Sequence, residues 1–204
     1  MTQINLKSFL EQIDYRRDRL LFPLIKSYWP RKITPNHLTS LRIIIGIVLC
    51  ILLFSGFEDK TCIVPLFCFA ILLDLFDGSV ARALNKKTDI GAFLDPLGDK
   101  ILIIPIAVYS LIRHYKWLLL LLILPEFISL IGVISYKIRN RIVEANIFGK
   151  TKMVLESVAL GVILLNWPSP PSKFPIALLF FAVFFGSVGA SLMWLNLSKN
   201  SQLT

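Results

Sequence analysis

Six apolar segments, separated by short polar connections, constrain the fold of this chain more than any other feature. A transmembrane helix needs about 20 predominantly apolar residues, and in lipid the backbone must satisfy its own hydrogen bonds. The 204 residues are 55% hydrophobic with a mean hydropathy of +0.70, which excludes an ordinary water-soluble domain. We therefore predict an all-α integral membrane protein with six transmembrane helices in a single membrane domain, residues 1–204. The predicted spans are 38–56, 62–82, 96–113, 117–136, 152–168 and 175–196.

Residues 1–33 precede the six-helix transmembrane bundle, which we assign to 34–197, and they show a different pattern. Apolar residues from Phe9 to Ile25 alternate there with basic residues. This pattern is typical of an amphipathic interfacial helix lying on the membrane surface, and a solvated helix packed on the protein is the alternative. The segment has no short apolar core with a small-residue cleavage site, so we do not interpret it as a secretory signal.

Lysine and arginine residues are distributed unevenly between the two sets of connections. Of the 22 basic residues, 18 fall on the side of both chain termini and four fall on the opposite side. Because basic loops remain in the cytoplasm, we expect both termini and the acidic stretch described next to be cytoplasmic, in a bacterial inner membrane. We attribute the net charge of +9 to this topology and to anionic lipid head groups, and we expect no nucleic acid partner.

The acidic stretch covers residues 73–101 and contains two pairs of aspartates. Asp74 and Asp77 are three positions apart. Asp95 and Asp99 are four apart, and both spacings put the paired carboxylates on one face of a helix. One charge at the centre of a membrane helix costs about 2.5–3.5 kcal/mol on insertion scales, and divalent cations are the usual way to offset four carboxylates that converge there. An oxygen-only ligand set favours Mg²⁺ or Mn²⁺, and four carboxylates can hold two ions about 3.5–4 Å apart, a spacing suited to phosphoryl transfer.

Small and cationic residues accompany the first aspartate pair. Gly78 and Ala81 leave room for a bulky ligand beside the helix, and the forked guanidinium of Arg82 suits phosphate oxygens. The complete pattern is Asp74-x-x-Asp77-Gly78-x-x-Ala81-Arg82, eight residues, Gly91-x-x-x-Asp95-x-x-x-Asp99. It resembles the signature of the CDP-alcohol phosphotransferase family at every fixed position. Solvated loop acids beside membrane helices are the alternative, but they explain neither the spacing nor Gly78 and Arg82.

The resemblance implies a phospholipid-synthesising transferase. Members of this family move a phosphatidyl group from CDP-diacylglycerol to an alcohol acceptor and release CMP. By this resemblance, Asp74, Asp77 and Asp95 hold two divalent ions on the diphosphate, and Asp99 also reaches one of them. Asp99 is expected to orient or deprotonate the acceptor hydroxyl, and Arg82 is expected to offset charge as CMP leaves. The family resemblance also implies a homodimer.

A second stretch of resemblance lies at the start of the first span. Residues 34–42 match the Pro-Asn-x-x-Thr-x-x-Arg pattern with which the family begins its first helix. This comparison puts the segment near the nucleotide, although helix capping alone would select similar residues. The residues expected to contact CDP are Asp74, Asp77, Gly78, Ala81, Arg82, Gly91, Pro35, Asn36 and Thr39.

The connection between the fourth and fifth spans is rich in basic residues. These residues are either topological flanking charge or a cationic pocket for a phosphorylated acceptor such as glycerol 3-phosphate. Gly149-Lys150-x-Lys152 resembles the Gly-Lys-x-Lys-Thr-x-x-Gln stretch of phosphatidylglycerophosphate synthases, with Met153 and Glu156 as departures. The candidate acceptor-binding residues are Arg139, Arg141, Lys150 and Lys152.

Several alternatives remain open at the level of the sequence. Glycerol 3-phosphate is the expected acceptor, and phosphatidylglycerol (giving cardiolipin), serine and inositol phosphate are the other acceptors considered. Glu126, inside the fourth span, is either a further site residue or a hydrogen-bonded packing residue. The rival classes are a transporter, which would more often show repeated halves, and a non-catalytic scaffold, which would be expected to lack at least one of the aspartates.

Overall fold

The computed structural model describes residues 18–19, 21–23, 25–27, 29–30, 33–84, 89–138 and 147–199. Within these ranges the protein is all-α, as predicted, and contains no strand. The long helices are α1 Pro35–Phe54, α2 Lys60–Ala83, α3 Asp89–Leu111, α4 Lys116–Ile138, α5 Ile147–Leu165 and α6 Lys173–Lys199. In the predicted interfacial helix, the described residues between 18 and 27 are helical, and residues 1–17 lie outside the described part.

Four helices in the described part of the chain are long and apolar enough to cross a membrane. They are α1, α2, Lys116–Ser135 of α4 and Lys173–Leu195 of α6. Their length and composition are those of an integral membrane protein. The other two long helices, α3 and α5, each carry at least three charged residues, from the acidic stretch and from the basic connection, and charges inside a bilayer are costly. The six-span topology therefore stays a prediction.

Two helices begin more than one turn before the corresponding predicted spans. The third span was expected to start at residue 96, where the apolar residues start, whereas α3 begins at Asp89. Similarly, α5 begins at Ile147, ahead of the predicted residue 152. Hydropathy detects the apolar part of a helix, but adjoining polar residues can form the same i to i−4 backbone hydrogen bonds and so lengthen the helix. As a result, the second half of the acidic stretch lies within a helix.

The chain divides into two compact units, of which the first comprises residues 1–51 and 65–102. Within it, Gly46 lets α1 approach α3 closely. A Cβ atom at Gly46 would lie 3.0 Å from Ile101 Cγ2 and 3.2 Å from the Ile101 carbonyl carbon. Small residues at such positions allow membrane helices to pack backbone against backbone. The apolar core of this unit includes Ile45, Leu49, Phe67, Ala70, Leu73, Val80 and Leu102.

The second unit comprises residues 52–64 and 103–204. Here α6 packs against both α4 and α5. The core includes Leu118, Leu122, Ala159, Leu160, Ile163, Leu164, Leu179 and Ala182. Large apolar side chains on the outer faces are exposed, for example Trp117 at 81% and Leu124 at 62%. Exposed apolar faces of this kind suit contact with lipid, because water would not stabilise them.

Candidate active site

A buried arginine, Arg42, lies where aspartates of the acidic stretch come together. The α1 helix carries it, and its side chain is 1% exposed. Its Nη1 atom forms an ion pair with Asp74 Oδ1. The same Nη1 lies 3.2 Å from Asp99 Oδ1 and 3.7 Å from Asp77 Oδ2. Two carboxylates from α2 and one from α3 therefore surround a positive charge supplied by α1.

Helical spacing explains how α2 contributes two carboxylates to this cluster. Asp74 and Asp77 lie one turn apart on the same face of α2, and Asp99 reaches the same guanidinium from α3. Asp77 is buried, whereas the side chains of Asp74 and Asp99 are 23% and 31% exposed. A ligand can thus reach the cluster from the side of Asp74 and Asp99. Asp95 belongs to α3, but its side chain lies outside the described part of the structure.

Thr39 ties the start of α1 to the same cluster. It lies one turn before Arg42, is buried, and its hydroxyl is 3.3 Å from Asp77 Oδ2 and 3.4 Å from the Pro35 carbonyl oxygen. This contact connects the first turns of α1 to the Asp77 carboxylate of α2 and helps to hold that carboxylate in place.

Gly98 makes room for the Arg42 guanidinium. A Cβ atom at position 98 would lie 2.8 Å from Arg42 Nη2 and 3.0 Å from Nε. Real Cβ atoms essentially never approach other heavy atoms as closely as 2.8 Å. A larger residue there would displace the guanidinium from the aspartates.

Arg42 and Gly98 are the two residues of this cluster that our sequence interpretation did not assign to the site. Arg42 was treated as topological charge and as part of the first-helix pattern. One signal was available, because Arg42 is the only Lys, Arg, Asp or Glu residue of α1. An isolated charge inside an apolar helix indicates a buried partner. For Gly98 the sequence offered no signal, since its role depends on a side chain from another helix.

The chemistry of the cluster fits a hard divalent cation. Among the residues that the structure describes, no three Asp, Glu, His or Cys side chains are arranged to hold a metal ion. However, three carboxylate oxygens, from Asp74, Asp77 and Asp99, lie around the Arg42 guanidinium. Carboxylate oxygens are the preferred ligands of Mg²⁺ and Mn²⁺. The donor set thus matches the predicted kind of metal site.

Arg82, in the last turn of α2, is held by a residue from outside the signature. Its Nε and Nη2 atoms donate hydrogen bonds of 2.8 Å and 3.0 Å to the two carboxylate oxygens of Asp18. The Ser79 hydroxyl donates to Asp18 as well, over 3.1 Å. A Cβ atom at Gly78 would lie 3.6 Å from Arg82 Nη1, an ordinary contact, so the guanidinium lies over the bare backbone of Gly78.

The remaining residues predicted to contact CDP lie on the same three helices. Pro35 is buried at the first position of α1, where a proline costs no hydrogen bond, and Asn36 follows it half-buried. Ala81 is half-buried near the end of α2, and Gly91 is half-buried near the start of α3. All belong to the first compact unit, as do Arg42 and the aspartates.

A separate group of buried charges lies in the second unit. Lys152 of α5 forms an ion pair with Glu126 of α4, and its Nζ atom lies 3.7 Å from Glu156 Oε1 one turn along α5. All three residues are buried. Gly186 of α6 provides the space, since a Cβ atom there would lie 3.0 Å from Lys152 Cδ. Glu126, for which the sequence left a site role and a packing role open, forms this ion pair with Lys152, and both interpretations stay predictions.

The other predicted acceptor-binding residues differ in their surroundings. Lys150 is exposed near the start of α5, in contrast to the buried Lys152. Arg139 and Arg141 lie outside the described residues. Of the four candidate cations, the structure thus describes the exposed Lys150 and the buried Lys152, which is already paired with two glutamates.

Comparison with known proteins identifies the chain. Residues 32–197 match the CDP-alcohol phosphatidyltransferase family. The CDP-diacylglycerol–glycerol-3-phosphate 3-phosphatidyltransferase of Bacillus subtilis is 32% identical over 186 residues, covering 81% of this chain and 94% of that protein. A probable phosphatidylglycerophosphate synthase of Mycobacterium tuberculosis is 31% identical over 140 residues, covering 66% of this chain and 67% of that protein. The CDP-diacylglycerol–glycerol-3-phosphate 3-phosphatidyltransferase of Salmonella choleraesuis is 28% identical over 183 residues, covering 83% of this chain and 96% of that protein.

These relationships confirm the resemblance drawn from the aspartate pattern. The match includes α1 to α5 and most of α6, and it contains Arg42, Gly98 and the three aspartates around the guanidinium. The chain belongs to the CDP-alcohol phosphatidyltransferase family.

Proposed function

We propose that this protein transfers the phosphatidyl group of CDP-diacylglycerol to glycerol 3-phosphate, releasing CMP and forming phosphatidylglycerophosphate. The observation that carries the proposal is the convergence of Asp74, Asp77 and Asp99 around one positive charge. A membrane protein gathers buried carboxylates in this way at considerable cost, so such groups mark functional sites. The names of the Bacillus and Salmonella relatives support the choice of donor and acceptor.

Asp74, Asp77, Asp95 and Asp99 would together hold two Mg²⁺ or Mn²⁺ ions. When bound, such ions polarise the diphosphate of the donor and neutralise the charge that develops on CMP. In the structure described here, Arg42 supplies the positive charge among three of these carboxylates. Arg42 therefore offsets part of the negative charge of these carboxylates.

The protein's own residues would act on the reacting groups as follows. Asp99 accepts the proton of the acceptor hydroxyl as that oxygen attacks the phosphorus of the phosphatidyl group. The bond between this phosphorus and the CMP oxygen breaks, and CMP departs. General-base assistance of this kind contributes typically about 10²–10⁴-fold in rate. Asp99 suits the role because it is the most exposed of the three carboxylates around Arg42.

The donor would bind along α1, α2 and α3. Arg82 would contact its diphosphate from the end of α2, because guanidinium groups form paired hydrogen bonds with phosphate oxygens. The bare backbone at Gly78, the small Ala81 and Gly91 would leave room for the nucleotide. Pro35, Asn36 and Thr39 would lie at the nucleotide end, where Thr39 also orients Asp77.

The phosphate of the acceptor would be bound by basic residues of the connection before α5 and of its first turns. Lys150 is exposed and therefore accessible to a charged substrate, and Arg139 and Arg141 are the other candidates. Lys152 is buried between Glu126 and Glu156, so we assign it the indirect role of fixing this end of α5. Phosphatidylglycerol, serine and inositol phosphate are the acceptors against which glycerol 3-phosphate must be tested.

The protein would work as an inner-membrane enzyme with six spans, an interfacial helix over 1–33, and both termini and the active site in the cytoplasm. Charge distribution supports this orientation, since 18 of the 22 basic residues fall on one side. With the active site on the cytoplasmic side of the membrane, CMP would be released into the cytoplasm, where nucleotides are found. The family resemblance supports a homodimer.

The first test is CMP release by the purified protein from CDP-diacylglycerol with Mg²⁺ or Mn²⁺ and a panel of acceptors. We expect release only with a divalent ion, stimulated by glycerol 3-phosphate, and none after chelation or in Asp77→Asn. Release stimulated by a different acceptor would retain the transferase and reject our choice of acceptor. Absence of release with every acceptor, while metal and donor bind, would favour a scaffold.

A further inference from the structure

Asp18 and Arg82 lie 64 positions apart in the chain, yet the structure joins them through two parallel hydrogen bonds. Arg82 Nε donates to Asp18 Oδ2 over 2.8 Å, and Arg82 Nη2 donates to Asp18 Oδ1 over 3.0 Å. This fork-to-fork geometry restricts the guanidinium to one plane as well as one position. Asp18 precedes all the helices that carry the signature, so the motif itself does not account for this contact.

A further group on α2 also binds the Asp18 carboxylate. Ser79, one turn before Arg82 on α2, is fully buried, and its hydroxyl donates to Asp18 Oδ1 over 3.1 Å. The Asp18 side chain is only 15% exposed. Exposed ion pairs contribute little, and the Arg82 side chain is 36% exposed, but the Asp18 carboxylate is largely shielded and accepts three hydrogen bonds. The contact is therefore built into the packing of α2.

The geometry of the pair leaves one edge of the guanidinium for another ligand. A guanidinium has five N–H donors, and Asp18 takes those on the Nε and Nη2 side. Nη1 lies over Gly78, 3.6 Å from where a Cβ atom would be. Within the described part of the chain, no protein atom accepts a hydrogen bond from Nη1. Gly78 is the neighbour of Asp77, so the open edge lies beside the acidic cluster.

We propose that Asp18 is a positioning residue for the donor substrate: it holds Arg82 so that Nη1 faces the diphosphate over Gly78. This inference rests on the proposed function, in which Arg82 binds the donor's phosphate oxygens. The opposite possibility is that Asp18 competes with the diphosphate for Arg82. Positioning is favoured because Asp18 uses the Nε edge and leaves Nη1 accessible.

Steady-state kinetics of the full-length protein test the role of Asp18. Removing one charge-assisted contact changes affinity by about tenfold or more. We therefore expect Asp18→Ala to raise the KM for CDP-diacylglycerol by roughly tenfold, with a smaller change in kcat and none in the KM for the acceptor. Asp18→Asn keeps the shape and one accepting oxygen, so its effect should be intermediate. Glu58→Gln, at an exposed acid in the α1–α2 connection, is the matched control.

Combination with Arg82→Ala separates positioning from a general effect on the fold. If Asp18 acts through Arg82, Asp18→Ala should change the donor KM no further once Arg82 is alanine. An unchanged or lower donor KM in both Asp18 variants, or full additivity with Arg82→Ala, would overturn the inference. If Arg82→Ala raises the donor KM and the Asp18 variants do not, only the role of Asp18 fails. If Arg82→Ala leaves the donor KM unchanged, both the assigned role of Arg82 in donor binding and the positioning role of Asp18 are wrong.

Discussion

Gly98 lies directly against the guanidinium of Arg42, with no space for a Cβ atom between them. A Cβ atom at this position would come within 2.8 Å of Nη2, which is shorter than any ordinary van der Waals contact. This pairing sets the position of the positive charge among Asp74, Asp77 and Asp99. The arrangement of the acidic cluster therefore depends on the absence of a side chain at Gly98.

We predict that Gly98→Ala destabilises the protein and lowers its activity by moving the guanidinium. Overpacking a buried site costs typically about 1–3 kcal/mol. Thermal unfolding in detergent and CMP release measure the two effects. Gly149→Ala is the matched control for stability, because a Cβ atom there meets nothing within 4 Å. Equal melting temperatures for Gly98→Ala and the unsubstituted protein would show that the guanidinium is not confined as described.

Arg42→Gln should destabilise the metal-free protein strongly. The substitution leaves three carboxylates without their common cation, and removing one partner of a buried ion pair costs about 3–5 kcal/mol. We expect a divalent ion to restore more stability to this variant than to the unsubstituted protein. Thermal unfolding with EDTA and with Mn²⁺ measures this difference. The interpretation would be wrong if Arg42→Gln unfolded at the normal temperature in EDTA.

Asp99→Asn should retain the fold and donor binding but lose most of its turnover. The amide cannot accept the proton of the acceptor hydroxyl, and loss of a general base costs about 10²–10⁴-fold in kcat. Single-turnover CMP release and donor binding separate chemistry from affinity. Normal kcat in this variant would remove Asp99 from the mechanism as a base.

Asp77→Asn should abolish metal-dependent activity without unfolding the protein. The amide oxygen of asparagine can still accept the hydrogen bond from Thr39, so the packing of α1 on α2 is preserved. The lost negative charge weakens the binding of a divalent ion. Titration of CMP release with Mn²⁺ measures the change, and Thr39→Val serves as the comparison that keeps the carboxylate. A fully active, still metal-dependent Asp77→Asn variant would contradict the assigned site.

Lys152→Met and Lys150→Ala should have different consequences although the residues are neighbours. Lys152→Met removes the lysine that pairs with the buried Glu126 and Glu156, and removing one partner of a buried ion pair costs about 3–5 kcal/mol of stability. Lys150 is exposed, so Lys150→Ala should change stability by only about 0.5 kcal/mol or less and raise the KM for glycerol 3-phosphate. Melting temperatures and acceptor kinetics distinguish the two roles. The same acceptor KM in Lys150→Ala as in the unsubstituted protein would exclude Lys150 from the acceptor site.

Local patterns in the sequence were sufficient to predict the helices and the class of protein. Long apolar segments predict membrane helices because lipid offers the backbone no hydrogen-bond partners. The three-residue spacing of Asp74 and Asp77 predicts a shared face of α2, since helical periodicity is a local property. The start of α3 at Asp89 was missed because apolar composition does not report where a polar helical turn begins. The family followed from a motif with fixed spacing, and the comparisons confirm it.

The partners of the charged residues were decided only by the tertiary structure. Asp18 pairs with Arg82 across 64 positions, and Lys152 pairs with Glu126 across 26. No periodicity connects residues so far apart, and each pairing depends on how neighbouring helices pack. The sequence by itself thus determined the all-helical membrane protein, its family and the carboxylates to examine. Packing alone determined that Arg42 lies among those carboxylates, because a buried charge must find whatever opposite charge the fold brings within reach.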